Sequence, residues 1–377
     1  MEDVPELVRI LYFSRDYTSH DYRFLEALAS TEHDVFYLRL EAGPVSEKRA
    51  LPSGISRIDW KGGSRPTARM DYPRLLIGLR NVLGNLQPDL VHAGPVQQSA
   101  FMTAVLGFRP LVSMSWGSDL LMRARQGFGR WMAAYTLRRS QVLVGDCQAV
   151  RSAAIGLGMP EDRIVVFPWG ADLSHFSPGG SGELKTRLGW DRDFVLLSTR
   201  AFERDYGVEA VVRAFTIAFR RAPILRLLVL GQGSLESKLR SMVRESGLED
   251  KVHFAGQVDY VDLPKYYRVA HLYLSASIVD GSSVSLLEAM SCGIPALVSD
   301  IPGNREWVVP GRNGWLFPTG DDKALAEAIV RLASDPVELD QMGRAGREVA
   351  VKRADWRRNS KRLMEAYELA TSAASGK

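Results

Sequence analysis

The chain has 377 residues, of which 46% are hydrophobic and 24% charged, with a formal net charge of +4. These values are ordinary for a globular protein of two domains, and the charge is too small to indicate a nucleic-acid partner. No apolar run approaches the roughly 18 residues of a membrane span, and the acidic start predicts no signal peptide. A cytoplasmic location is expected, and no nucleic-acid-binding motif is found.

The N-terminal half alternates short apolar segments with longer segments of helical periodicity. The apolar segments predict strands at 8–13, 34–40, 56–60, 89–93, 110–116 and 141–145, and the periodicity predicts helices at 20–30, 73–86 and 95–106. This alternation indicates a mainly parallel sheet covered on both faces.

A segment rich in Gly, Ser and Pro, 176–183, predicts a linker, after which the alternation starts again. Strands are predicted at 193–200, 225–233, 251–256, 270–277 and 295–300, helices at 207–220 and 234–246, and a helical tail from 321 broken at 334–336. The sequence thus predicts two doubly wound α/β domains, 1–177 and 178–377, whose last helix can cross back to the first. Ligands of such sheets bind beyond the carboxyl ends of the strands.

The segment after the strand at 270–277 combines a turn, a helix start and one carboxylate. Asp280 begins the turn, Ser282 or Ser283 is the expected N-cap, and the helix start suits a phosphate group. Glu288 lies among apolar sequence neighbours, and a buried carboxylate costs several kcal/mol unless it is hydrogen-bonded. A ribose diol could supply the hydrogen bonds; the alternative is a backbone group or an Arg of the same domain.

The segment 280–300, DGSSVSLLEAMSCGIPALVSD, resembles the segment with two carboxylates separated by seven residues in the retaining glycosyltransferases of family four. The resemblance continues at 168–178, 228–258 and 301–329, and is weaker in the N-terminal half. It implies the GT-B fold, with two Rossmann-like domains facing a cleft and C-terminal helices. It also implies transfer of a sugar from a nucleotide-diphosphate donor to an acceptor hydroxyl, as in polysaccharide biosynthesis.

The resemblance assigns donor-binding roles to the residues of the predicted helix that contains Glu288 and of the turn before it. Glu288 would hold the ribose hydroxyls, and the amides around Ser283, Val284 and Ser285 would face the pyrophosphate or the sugar. Asp280 stands where the family usually has Glu, and its side chain is one methylene shorter than that of Glu. The resemblance makes it a catalytic residue that would contact the donor sugar's hydroxyls.

Three further positions complete the predicted donor site. Arg200 would bind the leaving diphosphate and stabilise its charge, although it could also be only an ion-pairing residue. The family's Lys falls near Tyr206, so Arg204 is a candidate replacement or merely a surface Arg. The backbone near Val258 would meet the base, and UDP is the favoured nucleotide.

In the N-terminal half, the resemblance places three side chains near the cleft. His20 lies at a helix start, where a cap or surface role is the alternative. Trp116 replaces the family's His, which excludes proton transfer there and favours stacking on a sugar. Asp119 would hydrogen-bond a hydroxyl of the acceptor or donor, or only cap the next helix.

The segment 120–140 indicates the kind of acceptor. It has five Arg and no acid, with Phe128, Trp131, Met132 and Tyr135 at helical spacing. Such a helix can lie on an anionic membrane, at the inner face, and reach a lipid-linked acceptor or a polysaccharide precursor. The alternative is that the aromatic side chains pack on their own domain.

Neither a cofactor nor an essential metal is expected. The Asp-Arg-Asp run at 191–193 has metal-ligand spacing, but it precedes a strand and is predicted to be a turn. Two alternative functions remain at this stage: a nucleotide-sugar epimerase, and a non-catalytic nucleotide-sugar-binding protein.

Overall fold

A computed structural model describes residues 7–42, 47–180 and 182–375 of the protein. The acidic start, on which the signal-peptide prediction depends, and Ser181 of the predicted linker lie outside the described residues. The chain forms two compact units, one of Met1–Phe167 with Ser360–Lys377 and one of Pro168–Asn359. The division therefore falls before the predicted boundary at 177/178, and the last segment of the chain is grouped with the first unit.

In its described residues, the first unit contains a seven-stranded sheet in which all paired strands are parallel. The strands, in the spatial order β3-β2-β1-β4-β5-β6-β7, are β1 (Arg9–Ser14), β2 (Asp34–Arg39), β3 (Ile55–Arg57), β4 (Leu90–Gly94), β5 (Leu111–Met114), β6 (Val142–Gly145) and β7 (Ile164–Val166). The helices between them are α1 (Ser19–Ala29), α2 (Tyr72–Leu86), α3 (Ser99–Val105), α4 (Gly127–Arg139) and α5 (Gln148–Gly156).

The second unit contains a six-stranded parallel sheet in the spatial order β10-β9-β8-β11-β12-β13. Its strands are β8 (Phe194–Ser198), β9 (Leu225–Leu230), β10 (Val252–Gly256), β11 (Leu272–Ser275), β12 (Ala296–Ser299) and β13 (Gly314–Phe317). Its helices are α6 (Gly182–Arg187), α7 (Val208–Phe219), α8 (Glu236–Glu245), α9 (Leu263–Val269), α10 (Val284–Ser291), α11 (Pro302–Arg305), α12 (Asp322–Ala333), α13 (Pro336–Arg353) and α14 (Trp356–Asn359).

Each predicted strand overlaps a strand of the structure, and the central ones could be predicted because both faces of a parallel sheet are buried and its strands are continuously apolar. Every residue of β4, β5, β6 and β11, for example, is buried. At the edge, β3 is mostly exposed and shares only residues 56 and 57 with the predicted strand at 56–60. Two edge strands were not predicted. β7 has only three residues, and β13 begins with a glycine, so neither gives a long apolar run.

The strand order of each sheet reverses at one point. In the first sheet β1 lies between β2 and β4, and in the second β8 lies between β9 and β11. At such a point the loops that follow two neighbouring strands turn to opposite sides and leave a crevice, where ligands of open α/β sheets bind. In the second unit, the loops after β8 and β11 flank this crevice.

The last helix of the chain, α15 (Arg362–Ser375), is fixed to the first sheet by two polar contacts. Tyr367 Oη lies 2.7 Å from His92 Nδ1, and Arg362 Nη1 donates to the carbonyl oxygen of Val166 at 2.6 Å. His92 is fully buried in β4, and this burial lowers its pKa to about 3. Among the helices that the structure describes, none combines the length and the apolar character needed to cross a bilayer.

We predict that His92 makes folding sensitive to acid. Its folded pKa lies below the unfolded value of about 6.5, so its contribution is complete above that pH and is lost as the pH falls towards 3. The free energy of unfolding of the wild type should therefore fall by about 1.4 kcal/mol per pH unit relative to His92→Phe between pH 6 and 4, measured by urea unfolding. Burial raises the folded pKa of Asp21 to about 6, so this residue changes the free energy of unfolding with pH in the opposite direction. Its effect is the same in the wild type and in His92→Phe, and it therefore cancels in the difference.

Tyr367→Phe is the matched control for this prediction. It removes the hydrogen bond to the ring but keeps the buried imidazole, so its stability should differ from the wild type by a constant amount at every pH. Parallel stability curves for the wild type and His92→Phe would contradict the assignment to His92.

Candidate functional site

The candidate site lies at the carboxyl edge of β8 and β11. Arg200 lies two residues after the end of β8, and Asp280 begins the turn that leads from β11 into α10. The two residues are 80 positions apart, yet Arg200 Nη2 donates to Asp280 Oδ2 at 2.6 Å. They meet because β8 and β11 are neighbouring parallel strands whose ends face the same side.

The guanidinium of Arg200 is held along its edge and on its face. Nη1 donates to the Oγ atoms of Ser283 at 2.6 Å and Ser285 at 2.9 Å, and the ring of Tyr206 lies 4.2 Å from Cζ. The Nε–H group is buried and has no hydrogen-bond partner among the described residues. Arg200 thus forms an ion pair, which was one of the two roles predicted for it. Its Nε–H group is still available to donate a hydrogen bond.

The ion pair keeps Arg200 charged although it is buried. The side chains of Arg200 and Asp280 are 10% and 18% exposed. Burial by itself disfavours the guanidinium charge, but the carboxylate of Asp280 raises the pKa of Arg200 above its ordinary value. The site therefore contains a permanent positive charge close to the start of α10.

The serine side chains at the start of α10 do not form the cap hydrogen bond that was predicted for Ser282 or Ser283. Ser283 occupies the N-cap position, but its side chain makes no cap hydrogen bond and accepts one from Arg200. Ser282 accepts a hydrogen bond from Trp307 Nε1 at 3.1 Å. Ser285 lies 2.7 Å from the hydroxyl of Tyr273 and 3.2 Å from that of Ser283. A nearby cation competes for these hydroxyls, which leaves the helix start without a side-chain cap.

Glu288 lies on the same helix and is 8% exposed. Its Oε2 accepts a hydrogen bond of 2.7 Å from the hydroxyl of Tyr267, which in turn lies 3.0 Å from Thr199 Oγ1. Burial and the charge of Glu288 raise the pKa of Tyr267 well above its ordinary value, so this hydroxyl stays protonated. Glu288 thus has a protein partner, the tyrosine hydroxyl of α9, which was not among the partners predicted for it.

Tyr267 was not predicted as a site residue, because an aromatic residue in a short amphipathic helix is usually part of the core. The other two donor-site candidates are Val258 and Arg204. Val258 is half-buried against the core of the second unit. Arg204 is exposed, so the structure favours its surface reading, and the neighbouring Tyr206 is the residue that contacts Arg200.

In the first unit, Asp119 occupies a structural position. Its carboxylate accepts hydrogen bonds from the amides of Val96, Trp116 and Leu120 and from the hydroxyl of Ser115, at 2.7–3.1 Å. Its burial raises its pKa, and these donors oppose the shift. Asp119 is therefore not the predicted helix cap, because the N-cap of the following turn is Ser118; its carboxylate instead ties the loop after β4 to the loop after β5.

The other two candidates of the first unit are half-buried. Trp116 Nε1 is buried and has no hydrogen-bond partner in the described part of the chain. His20 is in the first turn of α1, but the cap of that helix is Thr18, which forms a capping box with Asp21. The capping alternative for His20 is therefore wrong, and stacking of a sugar on Trp116 stays a prediction.

The basic segment 120–140 is not one continuous helix. A π-helical turn, Asp119–Arg123, precedes α4, whose buried residues are Ala133, Thr136 and Leu137. Phe128 and Trp131 are 62% and 49% exposed, and their rings stack 5.3 Å apart at 18°. Trp131 also contacts Phe101 of α3 with ring centroids 5.9 Å apart, and Tyr135 is half-buried against Phe101 and the core of the first unit. The alternative in which the aromatic side chains pack on their own domain therefore holds for Tyr135 and partly for Trp131, whereas Phe128 is mostly exposed.

In the ranges that the structure describes, no group of three or more His, Cys, Asp or Glu side chains is placed to hold a metal ion. The Asp-Arg-Asp run at 191–193 forms a turn before β8, as predicted. Asp191 accepts a hydrogen bond from Thr186 at 2.7 Å, and Asp193 pairs with Arg226 at 3.0 Å.

Two family models match the chain. The model described as glycosyl transferases group 1 matches residues 182–349, and the model described as a glycosyl transferase 4-like domain matches residues 20–170. Together they cover most of both units, including the whole candidate site.

Curated relatives match over part of their length. The D-inositol 3-phosphate glycosyltransferase of Pseudarthrobacter chlorophenolicus is 29% identical over 218 residues, which are 56% of this chain and 52% of the relative. The phosphatidyl-myo-inositol mannosyltransferase of Mycobacterium leprae is 37% identical over 153 residues, 40% of this chain and 39% of the relative. The chain thus spans about half the length, or less, of these relatives.

Solved structures match over nearly the whole chain. Anabaena HepE in complex with UDP and glucose is 19% identical with a TM-score of 0.80, and the match covers 96% of this chain and 99% of that one. Sucrose-phosphate synthase from Thermosynechococcus elongatus is 20% identical with a TM-score of 0.81, covering 97% and 100%. These matches confirm the GT-B fold. The two family models together match most of the chain, and they show that it belongs to the group 1 glycosyl transferases.

Proposed function

We propose that this protein is a retaining glycosyltransferase that moves a sugar from a nucleotide-diphosphate donor, a UDP-sugar, to an acceptor hydroxyl. The observation that carries the proposal is the convergence of Arg200, Ser283, Ser285 and Glu288 where β8 and β11 end and α10 begins. Family membership supports the activity. The fold neighbour HepE was crystallised with UDP-glucose, which supports the choice of donor.

The diphosphate is proposed to bind at the start of α10. Backbone N–H groups in the first turn of a helix have no intrahelical partner and attract anions. Arg200 adds a permanent positive charge, and its Nε–H group is a donor without a partner among the described residues. When the glycosidic bond breaks, negative charge grows on the diphosphate, and these donors stabilise it.

The ribose of the donor is proposed to bind Glu288. Tyr267 holds one carboxylate oxygen of Glu288 by a 2.7 Å hydrogen bond, which fixes the orientation of the carboxylate. A ribose diol offers two hydroxyl donors, and each carboxylate oxygen can accept more than one hydrogen bond. The backbone near Val258 is proposed to contact the base.

Asp280 is proposed to contact a hydroxyl of the donor sugar while it stays paired with Arg200. Its Oδ2 accepts from Arg200 and its Oδ1 from the amide of Gly281 at 3.0 Å, and each oxygen has a second lone pair. Retention is proposed to arise by attack on the face that the diphosphate leaves, with the departing phosphate taking the acceptor proton.

We predict that Glu288→Gln weakens nucleotide binding about tenfold to a hundredfold, because a hydrogen bond to a charged group contributes about 1.5–3 kcal/mol. A thermal-shift panel of nucleotide sugars would first identify the donor, and calorimetry would then give the affinity of each variant. The loss should be much smaller with the 2′-deoxy form of the nucleotide. Glu327→Gln on α12, which changes an exposed carboxylate, is the control. Equal losses with both nucleotides would contradict the ribose contact.

We further predict that turnover needs no added divalent metal. Arg200 and the start of α10 supply the positive potential that a metal would otherwise give, so EDTA should change the rate by less than about twofold. Proton NMR of a reaction in EDTA measures donor consumption and the anomeric configuration of the product together. Abolition of turnover by EDTA, or an inverted product, would contradict the proposal, and an epimerised donor without acceptor would support an epimerase.

The acceptor is proposed to be lipid-linked, and to be reached through the exposed aromatic surface of α4. Phe128 and Trp131 form an exposed stacked pair, and Arg139 lies 3.8 Å from the ring of Tyr135. The segment 120–140 has five Arg and no acid, so it is complementary to an anionic lipid surface. Trp116 is proposed to stack on the acceptor sugar, with Asp119 holding its amide at 3.0 Å.

We predict that the protein floats with phosphatidylglycerol vesicles and not with phosphatidylcholine vesicles, because the surface around α4 is both basic and aromatic. The double variant Phe128→Ser, Trp131→Ser should remain in the unbound fraction. Ile224→Ser is the control, since it removes an apolar side chain of similar exposure, 51%, from the second unit. Failure of the wild type to float with either vesicle would remove the membrane proposal.

A further inference from the structure

The turn that carries Tyr206 is fixed to the loop after β11. It consists of the short 3₁₀ segment Arg204–Tyr206 and Gly207, which has a φ of +63°. A Cβ atom at Gly207 would lie 2.0 Å from the carbonyl oxygen of Ala276, so only glycine allows this close approach. The amide of Ile278 donates to the carbonyl oxygen of Asp205 at 2.9 Å. Tyr206 is therefore held at a defined distance from the end of β11.

Tyr206 lies against a face of the Arg200 guanidinium, because the hydrogen bonds of that group run along its edge. The edge of the guanidinium donates to Asp280, Ser283 and Ser285, whereas the ring of Tyr206 lies 4.2 Å from Cζ. Hydrogen bonds along the edge fix the direction of the group, and the ring limits its rotation and displacement. A cation held over an aromatic ring in a desolvated place is attracted to the ring face.

The charges of the site make the orientation of this one cation important. Asp280 and Glu288 are both acidic, whereas Arg200 is the cation that contacts the start of α10. An arginine that turned towards Asp280 alone would be neutralised by it and would leave the helix start without its positive side chain. A ring that resists such a turn keeps the Nη atoms directed at Ser283 and Ser285.

We propose that Tyr206 is a positioning residue that holds the guanidinium of Arg200 towards the start of α10, where the donor's diphosphate binds. This inference rests on the proposed function. On donor binding, Nη1 exchanges the hydroxyls of Ser283 and Ser285 for phosphate oxygens, and the freed hydroxyls donate to the same anion. The contact between ring and guanidinium persists through this exchange, and no covalent bond changes.

The test compares Tyr206→Leu, which keeps an apolar side chain but removes the ring, with Tyr206→Phe, which keeps the ring. The probes are inorganic pyrophosphate, UDP, GDP and ADP, and the nucleoside of whichever diphosphate binds. Tyr206→Leu should weaken binding of pyrophosphate and of that nucleoside diphosphate about tenfold and leave the nucleoside unchanged. Tyr206→Phe should bind all of them like the wild type.

Arg331→Met is the matched control, because it removes a cation 4.3 Å from the ring of Trp315 in the same unit and outside the site. Melting temperatures of all variants show whether a loss reflects unfolding. Selective loss in Tyr206→Leu with rescue in Tyr206→Phe supports the inference. Unchanged binding in Tyr206→Leu, a loss shared by the nucleoside, or a loss in Tyr206→Phe as large as in Tyr206→Leu overturns it.

The two proposals fail in different ways. A wild-type protein that binds none of the three nucleoside diphosphates refutes the proposed function, and the role of Tyr206 falls with it. A wild-type protein that binds one of them while Tyr206→Leu binds it equally well refutes only the role of Tyr206.

Discussion

The candidate site depends on the burial of one positive charge. A guanidinium removed from water is tolerated only when its donors find acceptors and its charge is balanced. Arg200 meets this requirement through Asp280, Ser283 and Ser285, and these contacts tie the loop after β8 to the turn before α10. The same group that stabilises the crevice is thus placed to bind an anion, which makes stability and recognition inseparable at this position.

Much of the second unit could be predicted from its sequence. The central strands of a parallel sheet are apolar throughout, and the segment 280–300 carries its turn, its helix start and its carboxylate within a few residues. These features can be recognised in the sequence because they lie within a few residues of one another along the chain. The family resemblance placed Arg200 and Asp280 in one donor site, but their pairing was not predicted, since 80 residues separate them.

What the sequence could not supply was the set of partners around each side chain. Tyr267 and Tyr206 contact Glu288 and Arg200 through the tertiary structure, and neither has a sequence pattern that distinguishes it from a core aromatic residue. Ser283 was expected to cap α10, but a competing cation takes its hydroxyl. The exposure of Phe128 and Trp131 was also undetermined, because periodicity identifies an aromatic face without identifying what covers it.

The assignment of residues to the two units has a consequence for biosynthesis. The second unit is one uninterrupted stretch, Pro168–Asn359, whereas the first is assembled from the beginning of the chain and its final segment. Because a ribosome releases residues in order, all of the second unit emerges before the first can receive α15 and bury Tyr367 against His92. The part of the molecule that is translated first is therefore the part that is completed last.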